Sequence, residues 1–243
     1  MTLVSAHRGG AGLRRALEGT PGALEHACAL GVDLVELDVR VLADGTAVVH
    51  HDDVLRAAGR RRRLDALDLA AFRAARPDVL TLDETLDRLR GRAGAHLDLK
   101  GDARAGGPGG WAALVARAVD RLGTDVVVTS SHDEVVSAVR GWSAGRAAGL
   151  HVGLSVRRAP VRTTRAAATA HLRRRLVECD ATLVVAHHGV AALPRLADAL
   201  GLPLLAWTVD DERGLARWLD GAAWAVVTNR PEVALEVRTR LDR

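Results

Sequence analysis

The stretch DLVELDV, residues 33–39, decides the fold. It is short, rich in Val and Leu, and bounded by Gly31 upstream, so it predicts a strand buried on both faces. Residues two apart on a strand share a face, so Glu36 and Asp38 project together. Working outward, the same kind of apolar run recurs at Thr2–Ala6, Ala95–Leu99, Asp125–Thr129, Leu150–Leu154, Thr182–Ala186, Pro203–Thr208 and Trp224–Thr228. Helical stretches lie between them: Pro21–Leu30, Gly110–Leu122, Asp133–Arg140, Val190–Leu200, Asp211–Asp220 and Pro231–Leu241. Pro21 and Pro231 suit a first helical turn, and Gly31, Gly123 and Gly201 suit helix ends.

Eight strands alternating with helices imply an α/β chain with a parallel sheet. A length of 243 residues matches the roughly 250 of a (β/α)₈ TIM barrel. The expectation is one barrel domain over 1–243, with an open doubly wound sheet as the alternative. Thr46–His50 predicts an extra extended piece running on from the second strand. A short insertion then separates the second and third barrel strands, with helices at Asp65–Ala74 and Asp83–Arg90. Gly101–Gly110, GDARAGGPGG, reads as a loop over the C-terminal face.

Composition excludes several classes. With 48% hydrophobic and 26% charged residues the chain is globular rather than disordered. No run approaches the ~20 apolar residues of a membrane span, and MTLVSAHRGG lacks a secretory pattern. Cys28 and Cys179 are too few for a disulfide framework and fit a reduced, cytoplasmic setting. The net charge of +4 and pI near 10.2 favour anionic partners. All cations but Lys100 are Arg, so Lys100 departs from the chain's own habit.

The polar residues gather at the predicted strand ends. His7 and Arg8 follow the first strand, Glu36 and Asp38 lie near the end of the second, and His51 and Asp52 end the extra piece. Asp98 and Lys100 end the third strand, again two apart. In a barrel these converge on one pocket at the mouth. A buried carboxylate cluster needs a compensating cation. Oxygen ligands select a hard divalent ion, Mg²⁺ or Ca²⁺, with Mn²⁺ as a third choice. The alternative is a structural ion-pair network at the rim.

AHRGG at 6–10, EGT at 18–20, VELDV at 35–39, DGTAVVHHD at 44–52 and HLDLK at 96–100 together resemble the glycerophosphodiester phosphodiesterase family. LLAWTVDD at 204–211 and AVVTNRPE at 225–232 resemble its last two barrel strands, so the likeness runs along nearly the whole chain. It implies a (β/α)₈ barrel and metal-dependent hydrolysis of glycerophosphodiesters to sn-glycerol 3-phosphate and an alcohol. It places Glu36, Asp38 and Asp98 on the metal and His7 and His51 as the acid–base pair. Arg8 and Lys100 fall on phosphate, Trp207 on the glycerol pocket, and Glu18 of EGT among the substrate-binding residues. His187, at the end of the sixth strand, is a further candidate substrate contact. The chain departs from the family pattern at Gly19 and Asp98, where Asn and Glu are usual. W-T-V-N is W-T-V-D at 207–210, and T-D-R-P is T-N-R-P at 228–231.

Weaker signals have simpler readings. GWSAG at 141–145 matches a nucleophile-elbow pattern, but a helix precedes Ser143 where a strand is required. Gly10 and Gly12 lack the third glycine of a dinucleotide loop, since Arg15 stands there. Arg60–Arg63 reads as a solvated basic loop, with anionic-membrane contact as the alternative. The arginines at 157, 158, 162, 165 and 173–175 read as a solvated helix face. Nucleic-acid binding is not expected, because aromatics for stacking are scarce. His50 is expected to point away from His51. Two other functions compete with diester hydrolysis in solution: a barrel that binds phosphodiesters or phosphosugars without turnover, and a phosphodiesterase acting on lipid head groups.

Overall fold

The computed structural model describes residues 1–57, 59–101, 107–147, 149–156, 165–189 and 193–243. Its strands are β1 (Leu3–Ala6), β2 (Leu34–Val41), β3 (Ala47–Val49), β4 (Val54–Ala57), β5 (Arg60–Arg63), β6 (Gly94–Leu99), β7 (Val126–Ser130), β8 (His151–Val156), β9 (Leu183–His187), β10 (Leu204–Trp207) and β11 (Ala225–Thr228). Its helices are α1 (Pro21–Leu30), α2 (Leu69–Ala75), α3 (Leu82–Leu89), α4 (Gly107–Leu122), α5 (Asp133–Ser143), α6 (Arg165–Glu178), α7 (Leu193–Leu200), α8 (Glu212–Arg217) and α9 (Pro231–Leu241).

β1, β2 and β6 to β11 pair with one another in parallel. β1 pairs with β2 at Ser5↔Leu34 and with β11 at Leu3↔Ala225, which closes the sheet into an eight-stranded barrel. The open-sheet alternative is thereby excluded. The pleat sorts the side chains. Leu34, Val127, Leu183, Val185, Leu205 and Val227 fill the barrel interior. Val35, Leu37, Val39, Leu97 and Leu99 point outward into the layer shared with the helices. Higher on the same inward face of β2 come Glu36 and Asp38, so the pleat that packs Leu34 inside also delivers both acids to the mouth.

Several expectations need correction. β3 does not run on from β2. It folds back antiparallel, Val39↔Val49 to Val41↔Ala47, after the turn at Asp44–Gly45. Arg60–Arg63 is not a loop but a strand, paired antiparallel with β4 from Val54↔Arg63 to Ala57↔Arg60. Four arginines in a row hide the strand, because β propensity expresses packing more than residue type. Leu55 of the partner strand supplies the anchor, buried with Leu42, Val48, Leu64, Phe72 and Val79 in a small core within the insertion. In that insertion the helix expected over Asp65–Ala74 is split into a 3₁₀ turn, Leu64–Ala66, and α2. Gly107–Gly110, read as loop, form the first turn of α4; residues 102–106 lie outside the described residues. The helix expected at 190–200 is described from Leu193, and α8 gives way at Trp218 to a π turn ending at Ala222. Arg157, Arg158 and Arg162 lie outside the described residues; Arg173 and Arg174 are exposed on α6 as expected, whereas Arg175 is half-buried and paired with Asp133.

Candidate active site

The chain leaves β1 through a tight turn, His7–Gly10, in which Arg8 takes a left-handed conformation with φ 53°. A non-glycine residue pays for that conformation, so something must hold it. The Arg8 backbone N–H donates to Glu36 Oε2 at 2.6 Å, and its guanidinium Nη1 donates to Glu18 Oε1 at 2.5 Å. Arg8 Nε lies 4.0 Å from Asp38 Oδ2. Gly10 lets this turn press on α1, where a Cβ would stand 2.5 Å from that of Ala27. Gly10 thus serves helix packing.

Across the mouth stand Glu36 and Asp38, both 3% exposed, with Asp98 of β6 beside them. A ligand oxygen from each of the three lies within 4.8 Å of the others. Lys100 Nζ pairs with Asp38 Oδ1 at 3.0 Å and with Asp98 Oδ2. Burial would raise Asp38, but Lys100, His51 and His7 outweigh it and hold it below its ordinary value. Glu36 goes the other way. Burial, then the charges of Asp38 and Asp98, push it well above the ordinary carboxyl value. The cluster therefore has more negative charge than Lys100 neutralises. An all-oxygen set with a charge deficit fits a hard divalent cation. These three residues can hold one.

His51 follows β3. Its Nδ1 bonds Asp52 Oδ1 at 2.7 Å, and its carbonyl accepts from Arg40 Nε at 2.8 Å. His7 Nδ1 lies 2.8 Å from Asn229 Oδ1, and its Nε2 faces Glu36 Oε2 at 3.9 Å. Burial lowers the His7 pKa below its ordinary value, opposed by the Asn229 bond and the Asp38 charge. His50 points the other way, as expected, edge-on to Phe72 at 5.9 Å in the core of the insertion.

His7, Arg8, Glu36, Asp38, His51, Asp98, Lys100, His187 and Trp207 all line one cavity of about 530 Å³ at the C-terminal mouth. Glu18 does not: its carboxylate is spent on Arg8, behind the wall. His187 and Trp207 sit side by side on β9 and β10, ring centroids 5.6 Å apart, and form an aromatic side to the cavity with Val185 and Leu205. Trp207 Nε1 is buried with no partner among the described residues.

Three neighbours extend the site beyond the residues expected from the sequence. His96 lies two residues before Asp98 on the inward face of β6, and its Nε2 is 3.0 Å from the Thr129 hydroxyl. That hydroxyl donates to Asp98 Oδ1 at 3.2 Å, so it must accept from His96 Nε2–H, which leaves Nδ1 to accept from Ser5 Oγ at 3.3 Å. Burial drives the His96 pKa down to about 4, so the ring is neutral at neutral pH and acts as a fixed brace. The spacing 96, 98, 100 was the available signal. Asp210 and Asn229 stand out in the sequence as departures from the family pattern, but no local spacing ties them to His7.

Ser143 is fully buried at the end of α5, its hydroxyl bonded to the Arg140 carbonyl, so it is no nucleophile. His132 sits at the N-cap of α5, 3.6 Å from Glu134, outside the cavity wall. Gly19 has φ 69°, and a Cβ there would stand 2.5 Å from the Val49 carbonyl oxygen. Its departure from Asn is thus enforced by the backbone of β3. Gly19→Asn is expected to cost about 2 kcal/mol, measured by urea denaturation.

The profile of the "Glycerophosphoryl diester phosphodiesterase family" matches residues 7–233. The chain belongs to this family. Two solved structures share its fold. A phosphodiesterase of Oleispira antarctica, in complex with the product sn-glycerol-3-phosphate, superposes with TM-score 0.75 at 21% identity over 100% of this chain and 98% of its own. A glycerophosphodiester phosphodiesterase of Parabacteroides distasonis gives 0.76 at 20% identity over 100% and 98%. Among sequence relatives, human lysophospholipase D GDPD1 is 45% identical over 53 residues, and mouse lysophospholipase D GDPD3 is 42% identical over 66. Those matches span 22% and 27% of this family member but only 16% and 19% of the relatives' own length.

Proposed function

We propose that this chain hydrolyses glycerophosphodiesters to sn-glycerol 3-phosphate and an alcohol. The observation that carries the reading is one cavity holding two histidines, each with Nδ1 engaged, beside an acidic triad, Arg8 and Lys100. A phosphodiester is an anion, and attack adds charge to its oxygens. Arg8 and Lys100 meet that charge where water is restricted. His7 and His51 handle the two protons of the reaction, one from the nucleophile and one to the leaving alkoxide, each role worth about 10²–10⁴ in rate. His187 and Trp207 contact the glycerol side, and Glu18 holds Arg8 in place. Glu36, Asp38 and Asp98 would hold the divalent cation, Mg²⁺ or Ca²⁺, with Mn²⁺ as the third choice. Such an ion supplies Lewis-acid stabilisation of phosphoryl oxygens.

The assay is release of glycerol 3-phosphate from glycerophosphocholine and glycerophosphoethanolamine with each cation and with EDTA. Release that needs the cation and stops with EDTA is expected. A folded protein that binds the diester but releases nothing with any cation would replace this reading by the binding-only barrel.

A second reading, action on lipid head groups, draws on the hairpin β4–β5. Arg56 and Arg61 face each other across it, and Arg56, Arg61, Arg62 and Arg63 are exposed. Like charges directly opposite repel unless an anion lies between them. Leu13, in the loop after β1, is 74% exposed. The relatives named lysophospholipase D favour the same reading. Co-sedimentation with anionic vesicles that falls with salt would support it. No helix among the described residues is long and apolar enough to cross a membrane. We further propose a single catalytic domain over 1–243 and a cytoplasmic setting, which the two free cysteines support.

A further inference from the structure

We infer that Asp210 and Asn229 are positioning residues that lock the tautomer of His7, with Nδ1 protonated and Nε2 held open toward the cavity. The inference rests on the reading of His7 as a proton-transfer group.

The argument starts from Asp210, in the loop after β10. Its Oδ1 accepts from the backbone N–H of Asn229 at 2.8 Å and from the Thr228 hydroxyl at 3.2 Å. Its own carbonyl accepts from Arg230 Nη1 at 3.2 Å. These bonds clamp the loop after β10 to the loop after β11 and fix the direction of the second carboxylate oxygen. That oxygen, Oδ2, lies 2.8 Å from the Asn229 side-chain amide. A carboxylate only accepts, so the edge of Asn229 that faces it is the NH₂. The reverse orientation would set two acceptors 2.8 Å apart. The amide oxygen must then face His7, whose Nδ1 is 2.8 Å away. An amide oxygen only accepts, so Nδ1 carries the proton. Nε2 keeps its lone pair on the cavity side, where a hydroxyl proton of the attacking group can be taken up to give the imidazolium.

The chain of constraint runs from the seventh barrel strand through the eighth to the first, across 222 residues of sequence between His7 and Asn229. Neither Asp210 nor Asn229 lines the cavity. The two departures from the family pattern noted above, Asp at 210 and Asn at 229, exchange acid and amide between these same two positions. A carboxylate placed directly on His7 Nδ1 would also demand a proton there, so the exchange preserves the tautomer.

The test uses three variants and two readouts. The ¹⁵N shifts of the His7 ring, assigned by their loss in His7→Gln, are recorded on the metal-free protein. Wild type is expected to show Nδ1 protonated and Nε2 bare. Asp210→Asn, which frees the amide to rotate, is expected to show a mixed or reversed tautomer. With it, kcat for glycerol 3-phosphate release falls about 100-fold at unchanged KM, a loss of the kind that follows a misoriented site histidine. The double exchange Asp210→Asn with Asn229→Asp restores the tautomer and at least a tenth of the wild-type kcat, which a merely structural defect would not allow. Circular dichroism confirms folding of each variant. The inference is overturned if wild-type His7 carries its proton on Nε2, if Asp210→Asn changes neither spectrum nor kcat, or if the double exchange is no better than Asp210→Asn alone. If wild type hydrolyses no diester, the proposed function fails, while the spectra still decide the tautomer lock.

Discussion

His7→Ala is expected to lower kcat for glycerol 3-phosphate release by about 10³–10⁴, toward the upper end of what one general acid or base supplies. Three features put this residue at the centre. Its Nε2 opens on the cavity, 3.9 Å from Glu36. Burial keeps its ring below the ordinary imidazole pKa, so it is neutral and able to accept a proton at neutral pH. Its backbone begins the turn that sets Arg8 on Glu36. His51→Ala is expected to act on the same scale. Because the two histidines serve one reaction, the double variant should be little worse than either alone, as groups that act as a unit are strongly non-additive. The measurement is steady-state kinetics at saturating cation, with KM followed separately. A kcat within threefold of wild type in His7→Ala would remove His7 from the chemistry, whatever else the pocket does.

Lys100→Met is expected to destabilise the metal-free protein by about 3–5 kcal/mol, the cost of stripping one partner from a buried ion pair. Lys100 joins Asp38 and Asp98, and Glu36 stands just behind them. Burial alone would lower the Lys100 pKa; the three acids outweigh it and raise it. The sign of the pH dependence follows from Asp38. Lys100 is the leading partner that holds its folded pKa below the unfolded value. That contribution is present above the ordinary carboxyl range and is lost as pH falls through the folded value. The variant lacks it, so its deficit is largest at neutral pH and shrinks toward roughly pH 4 and below, because burial unopposed by Lys100 makes Asp38 protonate in the variant before it does in wild type. A divalent cation should recover much of the loss, because an ion at 100 times its Kd stabilises the folded state by about 2.7 kcal/mol. Urea denaturation at both pH values, with EDTA and with Mg²⁺ or Ca²⁺, reads all of this without an activity assay. A deficit unchanged by pH and cation would mean that Lys100 acts by packing alone.

The amino-acid sequence determined the strand pattern and the pairing of chemistry along it. DLVELDV and HLDLK are strands whose period of two puts Glu36 with Asp38, and Asp98 with Lys100, on one face each. Those relations are local, and a local rule reads them. The same rule would have found His96, one step further along the inward face of β6. Other features could not be read locally. Arg60–Arg63 becomes a strand because Leu55 opposite it is buried in the core of the insertion, not because arginine favours a sheet. Gly107–Gly110 joins α4 although glycine disfavours a helix. Only the tertiary structure closed the barrel, through the pairing of β1 with both β2 and β11. Closure is what brings His7 to Asn229. Contacts across more than 200 residues are set by register and chain closure, and those are properties of the assembled sheet rather than of any stretch within it.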